Sequence, residues 1–155
     1  MVTLRPMSPE DWPAWAARAN AAHVDEMIGL GRWPVEGADA RSAREFEGLL
    51  PAGPATPGHA FLWILRDDGA TVGSLWVGAD TEIGTGALFI WDLLIQAEFR
   101  GQGYGRATMA ALEPFARELG YSSIRLHVFG SNEAARNLYR SSGYLETDVT
   151  MLKQI

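Results

Sequence analysis

Ala87-Leu88-Phe89-Ile90-Trp91-Asp92-Leu93-Leu94-Ile95, followed after a short gap by Arg100-Gly101-Gln102-Gly103-Tyr104-Gly105-Arg106, decides the fold. The first run is apolar and rich in β-forming residues, so it reads as a strand. Past the glycines, Thr108, Ala111, Leu112, Phe115 and Leu119 recur at helical spacing over Arg106–Leu119, and Gly120 stops that helix. Ile124–Phe129 is a strand again. The unit is therefore strand, glycine turn, helix, strand, and a crossover of this kind leaves its two strands parallel.

Working outward, Val2–Arg5 reads as a short strand, and Ser8-Pro9 opens a helix that carries Trp12, Trp15, Ala19 and Ala22 or His23 before running down near Gly29 and Gly31. A second helix fits Ala38–Leu50. Pro51–Gly58 is rich in breakers and reads as a surface loop, because neither side has enough chain for its own core. Ala60–Arg66 and Thr71–Gly78 form a hairpin around Asp67-Asp68-Gly69. Asn132–Ser142 is a short helix closed by Gly143, and Leu145–Leu152 reads as a last strand. The expectation is one α/β domain over residues 1–155, with a mixed, mainly antiparallel sheet of six to seven strands and helices on both faces.

Composition narrows the function. No cysteine is present, so thiol chemistry has to come from a cosubstrate. A net charge of −6 with one lysine, Lys153, argues against a nucleic-acid partner. No long apolar run suggests a membrane span, and the expected location is cytoplasmic. His23 and His59 lack metal-ligand spacing with acidic residues, so no metal is expected.

The glycine turn, Arg100 to Gly105, precedes a helix whose first amides are unpaired and whose dipole end is positive. Glycines let the backbone approach phosphate oxygens and form a concave nest of amides. Arg100 and Arg106 stand where acids would be favoured, an arrangement that a bound anion would reverse from cost to gain. A plain glycine-rich connection remains open on glycine content alone. The P-loop pattern fails because Arg106-Ala107 follow Gly105, and the dinucleotide pattern fails because Arg106 stands at its third glycine.

With Arg100, Gly103 and Gly105 in place, the sequence resembles the GNAT superfamily of acetyl-CoA-dependent N-acetyltransferases, whose signature is Arg or Gln, two residues, Gly, one residue, then Gly or Ala. The likeness extends upstream to Asp92–Ile95 and downstream through Leu126–Tyr144, where Asn132, Ala135, Tyr139 and Gly143-Tyr144 follow the family's pattern. Many members carry proline where Ala97 stands.

The resemblance implies a GNAT-like sheet and an enzyme moving acetyl from acetyl-CoA directly to an amine: a small molecule, a peptide N-terminus or a lysine. It implies that Leu93, Leu94 and Ile95 bond the pantetheine arm, and that Arg100, Gly101, Gln102, Gly103, Tyr104, Gly105 and Arg106 hold the pyrophosphate. Asn132 would also reach the pantetheine, although it reads equally well as a helix cap. The implied acid is Tyr139, which would protonate the thiolate; a phenol's ordinary pKa of about 10 exceeds a thiol's of about 8.5. Packing on the sheet is the plainer role for that ring.

Asp92, an acid inside an apolar strand, is the first candidate for the base, and a structural ion pair is its alternative. His127, on the expected neighbouring strand, is a partner for Asp92 or a second base; Glu82 and Glu98 are weaker choices. Six tryptophans are spread through the half where members build the acceptor pocket, though core packing accounts for most such residues. A non-catalytic acyl-CoA-binding module is the alternative reading. A homodimer is a further expectation, because the last strand of such sheets can pair with another subunit.

Overall fold

The computed structural model describes residues 1–82 and 86–155. Five strands, β1 (Val2–Pro6), β2 (His59–Arg66), β3 (Thr71–Ala79), β4 (Ala87–Ile95) and β5 (Ser123–Leu126), lie side by side in chain order. Neighbours from β1 to β4 pair antiparallel, and β4 pairs parallel with β5. The described residues also form four α-helices: α1 (Trp12–Gly29), α2 (Ala38–Leu49), α3 (Tyr104–Glu118) and α4 (Glu133–Ser141). Because α3 carries the chain from the end of β4 back to the start of β5, those two strands run the same way.

Side-chain alternation along the strands divides the interior. Leu62, Ile64, Val72, Leu75, Val77, Leu88 and Ile90 pack with Met109, Leu112 and Ala116 of α3 on one face. On the other face Phe61 and Trp76 pack with Trp15 and Ala19 of α1, with Leu50, and with Phe46 of α2. Helices thus cover both faces. The β2–β3 hairpin turns through Gly69, whose φ of +84° is the left-handed conformation that a side chain disfavours. Ahead of α1, the carboxylate of Asp11 accepts bonds from the amide (2.8 Å) and hydroxyl (3.0 Å) of Ser8 and from Trp63 Nε1 (3.0 Å), which ties the helix entrance to β2.

Two expectations about the sheet are corrected. It has five strands among the described residues rather than six or seven: Leu145–Leu152 forms no strand, and every residue from 145 to 155 is exposed. Glu146 is drawn instead against α4, where Arg136 bonds it at 3.0 Å and Arg140 also contacts it, so the chain there follows the helix rather than a sheet edge. The strand expected over Ile124–Phe129 is shorter and ends at Leu126, because a turn closed by Asn132 N–H on Phe129 C=O (2.9 Å) already leads into α4. Among the described residues no helix is long and apolar enough to cross a membrane.

Close approach of β3 to β4 depends on Gly73, where an added Cβ would lie 2.0 Å from the Leu94 carbonyl oxygen. In denaturant unfolding, Gly73→Ala is expected to cost about 1–3 kcal/mol by overpacking. Gly48→Ala, in α2 with nothing within 4 Å of an added Cβ, should instead stabilise by about 0.5–1 kcal/mol.

Candidate active site

A β-bulge in β4 makes the site's floor. The register runs Gly73↔Ile95, Ser74↔Leu94, Leu75↔Leu93 and Trp76↔Asp92, then jumps to Val77↔Ile90, leaving Trp91 as the extra residue. Trp91 and Asp92 are consecutive, yet both face α1 and α2. Trp91 stacks on Trp76 (5.5 Å between ring centroids, 21° between planes), and Asp92 meets Arg18 of α1. Arg18 Nη2 donates to Asp92 Oδ2 at 2.9 Å and to Ser74 Oγ at 3.3 Å, and Trp15 Nε1 donates to the same hydroxyl at 3.3 Å.

Arg18 is the residue that sequence reading overlooked. Its signal was a lone cation beside Trp15 and Ala19 on the apolar stripe of α1. It, rather than His127, is the partner of Asp92. His127 lies past the end of β5, exposed, with its ring centroid 4.9 Å from that of Phe129. Glu82 is held by Arg125 at 2.9 Å, and Glu98 is exposed.

Beyond the bulge the sheet opens. Pairing of β4 with β5 runs from Ala87↔Ser123 to Ile90↔Leu126 and stops, so Leu93–Ile95 have β3 on one side only. Gln96 N–H donates to Val72 C=O at 2.9 Å; by antiparallel alternation Leu94 turns its backbone groups to β3 while Leu93 and Ile95 turn theirs into the gap. Arg100 Nε takes the Ile95 carbonyl at 3.0 Å, which leaves the Ile95 amide and both backbone groups of Leu93 as the open ones. Leu94 thus differs from its two neighbours in having its backbone already paired.

At the end of this gap stands the glycine turn. Gly101 and Gly103 have φ of +72° and +87°, and Gly103 is the residue just ahead of α3. The first helical bond is Ala107 N–H to Gly103 C=O at 3.0 Å, so the amides of residues 101–106 project ahead of the helix at the positive end of its dipole. Gln102 braces the turn by donating from Nε2 to the Glu98 carbonyl at 2.7 Å. Such a nest fits a phosphorylated ligand.

The turn is also packed against α4. A Cβ at Gly105 would lie 3.0 Å from Leu138 Cδ2, and Arg106 Nη2 donates to Ser141 Oγ at 3.4 Å. Asn132 caps α4, its Oδ1 accepting from Ala135 N–H at 3.2 Å. Tyr139 follows Leu138 and packs on the α3-side core. Burial pushes its phenol pKa up, and the negative charge of Asp92 pushes it further, so the hydroxyl keeps its proton through the neutral range. Asp92 therefore acts electrostatically on Tyr139, although one extends from the sheet and the other from a helix.

Trp12, Trp15, Phe61, Trp76 and Trp91 form a continuous aromatic cluster, in which Trp15 meets Trp76 edge-on at 5.9 Å. Of these, Trp15, Trp76 and Trp91 flank Asp92, whereas Trp33 packs separately with Val24 and Ala38. Trp76 Nε1 donates to His59 Nδ1 at 3.1 Å, and burial lowers the imidazole's pKa, so His59 is a neutral structural acceptor. Among the described residues no group of three metal-ligating side chains is assembled. A cavity of about 270 Å³ between Met7, Trp12, His59 and Phe115 lies toward the opposite end of the sheet from the glycine turn.

A sheet that parts along the β4–β5 parallel pair, with a nest of amides at the mouth of the gap, is an arrangement suited to a phosphorylated ligand with an extended arm. The model of the acetyltransferase (GNAT) family matches residues 15–144, and the chain belongs to that family. It is 36% identical over 155 residues to the uncharacterized N-acetyltransferase YycN of Bacillus subtilis, covering 99% of each chain, and 33% identical to that organism's uncharacterized N-acetyltransferase YdgE, covering 99% of this chain and 98% of the other. The crystal structure of YycN superposes with a TM-score of 0.91 at 34% identity, over 100% of this chain and 99% of that one. AAC(6')-Iy, in complex with a CoA-S-monomethyl-acetylneamine bisubstrate analogue, shares the fold with a TM-score of 0.60 at 17% identity, over 100% and 98% of the two chains. The protein is an acetyltransferase with a five-stranded mixed sheet, of a family that uses acetyl-CoA in general.

The neighbouring Tyr144 offers a check on this packing. Burial, with smaller contributions from Tyr139 and Glu113, pushes its pKa from 10.0 to about 12. The folded state therefore keeps a proton that the unfolded chain gives up, and the contribution of Tyr144 to stability should be level below pH 10.0 and fall between pH 10.0 and about 12. Unfolding free energies measured across that window should lose part of this slope in Tyr144→Phe.

Proposed function

We propose that the enzyme transfers the acetyl group of acetyl-CoA directly to an amine, with no acyl-enzyme. The observation that carries this reading is the parting of β4 from β5 beside the amides of residues 101–106. Those amides, with Arg100 and Arg106, suit the pyrophosphate. Open backbone groups on Leu93 and Ile95 suit the two amides of pantetheine as a neighbouring strand would. The side chain of Asn132 stands at the start of α4 for the same arm.

Their placement supports the following roles for the chain's own groups. Asp92 takes a proton from the acceptor ammonium, directly or through a water, which frees the nitrogen lone pair. As the N–C bond forms and the C–S bond breaks, the Ile95 amide supports the carbonyl oxygen, Tyr139 gives its proton to the leaving thiolate, and the second proton shed by the acylated nitrogen passes through solvent to restore the phenol. The raised pKa of Tyr139 keeps that proton available at neutral pH. Small amines, peptide N-termini and lysine side chains are the acceptor classes compatible with this chemistry.

Acetyl-CoA at a hundred times its dissociation constant should stabilise the protein by about 2.7 kcal/mol, read as a rise in the thermal midpoint, and desulfo-CoA and dephospho-CoA serve as controls. Tyr139→Phe and Asp92→Asn should each lower kcat by about 10²-fold or more while keeping that rise. A rise in midpoint without thiol release from any amine would make the protein a binding module. Unchanged turnover in both variants would remove these two residues from the chemistry.

A further inference from the structure

The Arg18–Asp92 pair is only partly satisfied. Arg18 uses Nη2 alone, and among the described residues its Nε and Nη1 donate to no protein group; Asp92 uses Oδ2, and its Oδ1 accepts from none. Both side chains keep access to solvent, at 33% and 30% exposure, beside the half-buried ring of Trp91, with Trp15 and Trp76 buried in the core beneath them. Ser74 and the Trp15 ring, 5.7 Å from the guanidinium carbon, hold Arg18 in place. The site therefore offers a fixed cation and a fixed anion side by side, each with free hydrogen-bonding atoms.

That arrangement discriminates among amines. A simple alkylammonium approaching Asp92 meets a carboxylate already neutralised by Arg18, and the guanidinium repels it. A molecule that also carries a carboxylate near its amine presents the complementary pair: its ammonium takes Asp92 Oδ1 and its carboxylate takes the free N–H groups of Arg18, without separating the two residues. A floor of zero net charge matches a zwitterion of zero net charge. Resting on the reading of Asp92 as the acceptor side of the site, we infer that the acceptor is of the amino-acid class, with amine and carboxylate on the same or adjacent carbons and an apolar side chain against the half-buried ring of Trp91.

The test compares thiol release from acetyl-CoA with L-phenylalanine, L-phenylalaninamide and phenethylamine, and with L-leucine, L-leucinamide and isopentylamine. The free amino acid of at least one set should exceed both relatives in kcat/KM by about tenfold or more, the worth of one charge-assisted contact. In Arg18→Met that ratio should fall toward one, and Arg18→Lys should restore part of it; a ratio taken within one preparation is insensitive to loss of folded enzyme. Equal or better turnover of the amides or the decarboxylated amines by the native enzyme overturns the inference, as does a ratio that Arg18→Met leaves intact. If no amine releases thiol, the acceptor assignment of the preceding section fails, and calorimetric titration of the CoA-loaded protein with L-phenylalanine and L-leucine decides the present one. Binding abolished by Arg18→Met sustains it, and absence of binding overturns it.

Discussion

The parting of β4 from β5 after Ile90 is the constraint on which the rest of the site depends. A parallel pair that continued to Ile95 would bond every backbone group of Leu93 and Ile95 within the sheet, leaving nothing for a ligand. Two features enforce the opening. The bulge at Trp91 adds a residue to β4 and bends it locally, and the chain after Leu126 turns through Phe129 into α4 instead of continuing as strand. Open backbone at the centre of a sheet is costly, and a ligand that extends the sheet removes that cost.

The same bulge sets the electrostatics. By placing Trp91 and Asp92 on one face, it moves an acid from a strand that is otherwise apolar to the boundary with α1, where Arg18 and Ser74 are waiting. Partly buried charges persist only when paired, and here one pair leaves both members with spare hydrogen-bonding capacity. Two of the three groups around Arg18 come from α1 itself or from β3, so the helix that covers the aromatic core also supplies a polar part of the site. Packing and chemistry share the same surface.

Placement of Tyr139 follows from a different contact. Gly105 lets α4 press on the first turn of α3, so the helix that carries the phenol is braced by the very turn whose amides face the gap. Arg106 links the two again through Ser141. The amide nest, the Tyr139 phenol and the open strand end thereby come from one contiguous stretch, β4 to α4, with Arg18, Ser74 and the aromatic cluster reaching in from elsewhere.

By itself the sequence determined the local elements and the turn. The strand over Ala87–Ile95 is observed with those bounds, the helix expected from apolar spacing over Arg106–Leu119 is observed over Tyr104–Glu118, and the left-handed conformations at Gly101 and Gly103 explain why glycine occupies both places. These are short-range properties, set by side-chain period and by the backbone freedom of single residues. What only the tertiary structure decided was long-range: that Arg18, 74 residues away in the chain, is the partner of Asp92; that Leu94 turns its backbone to β3 while its neighbours do not; and that Leu145–Leu152, despite its strand-like composition, finds no strand to pair with. A strand exists only where another chain segment meets its hydrogen-bonding edge, and an ion pair only where two elements converge, and neither condition is written in the residues that take part in it.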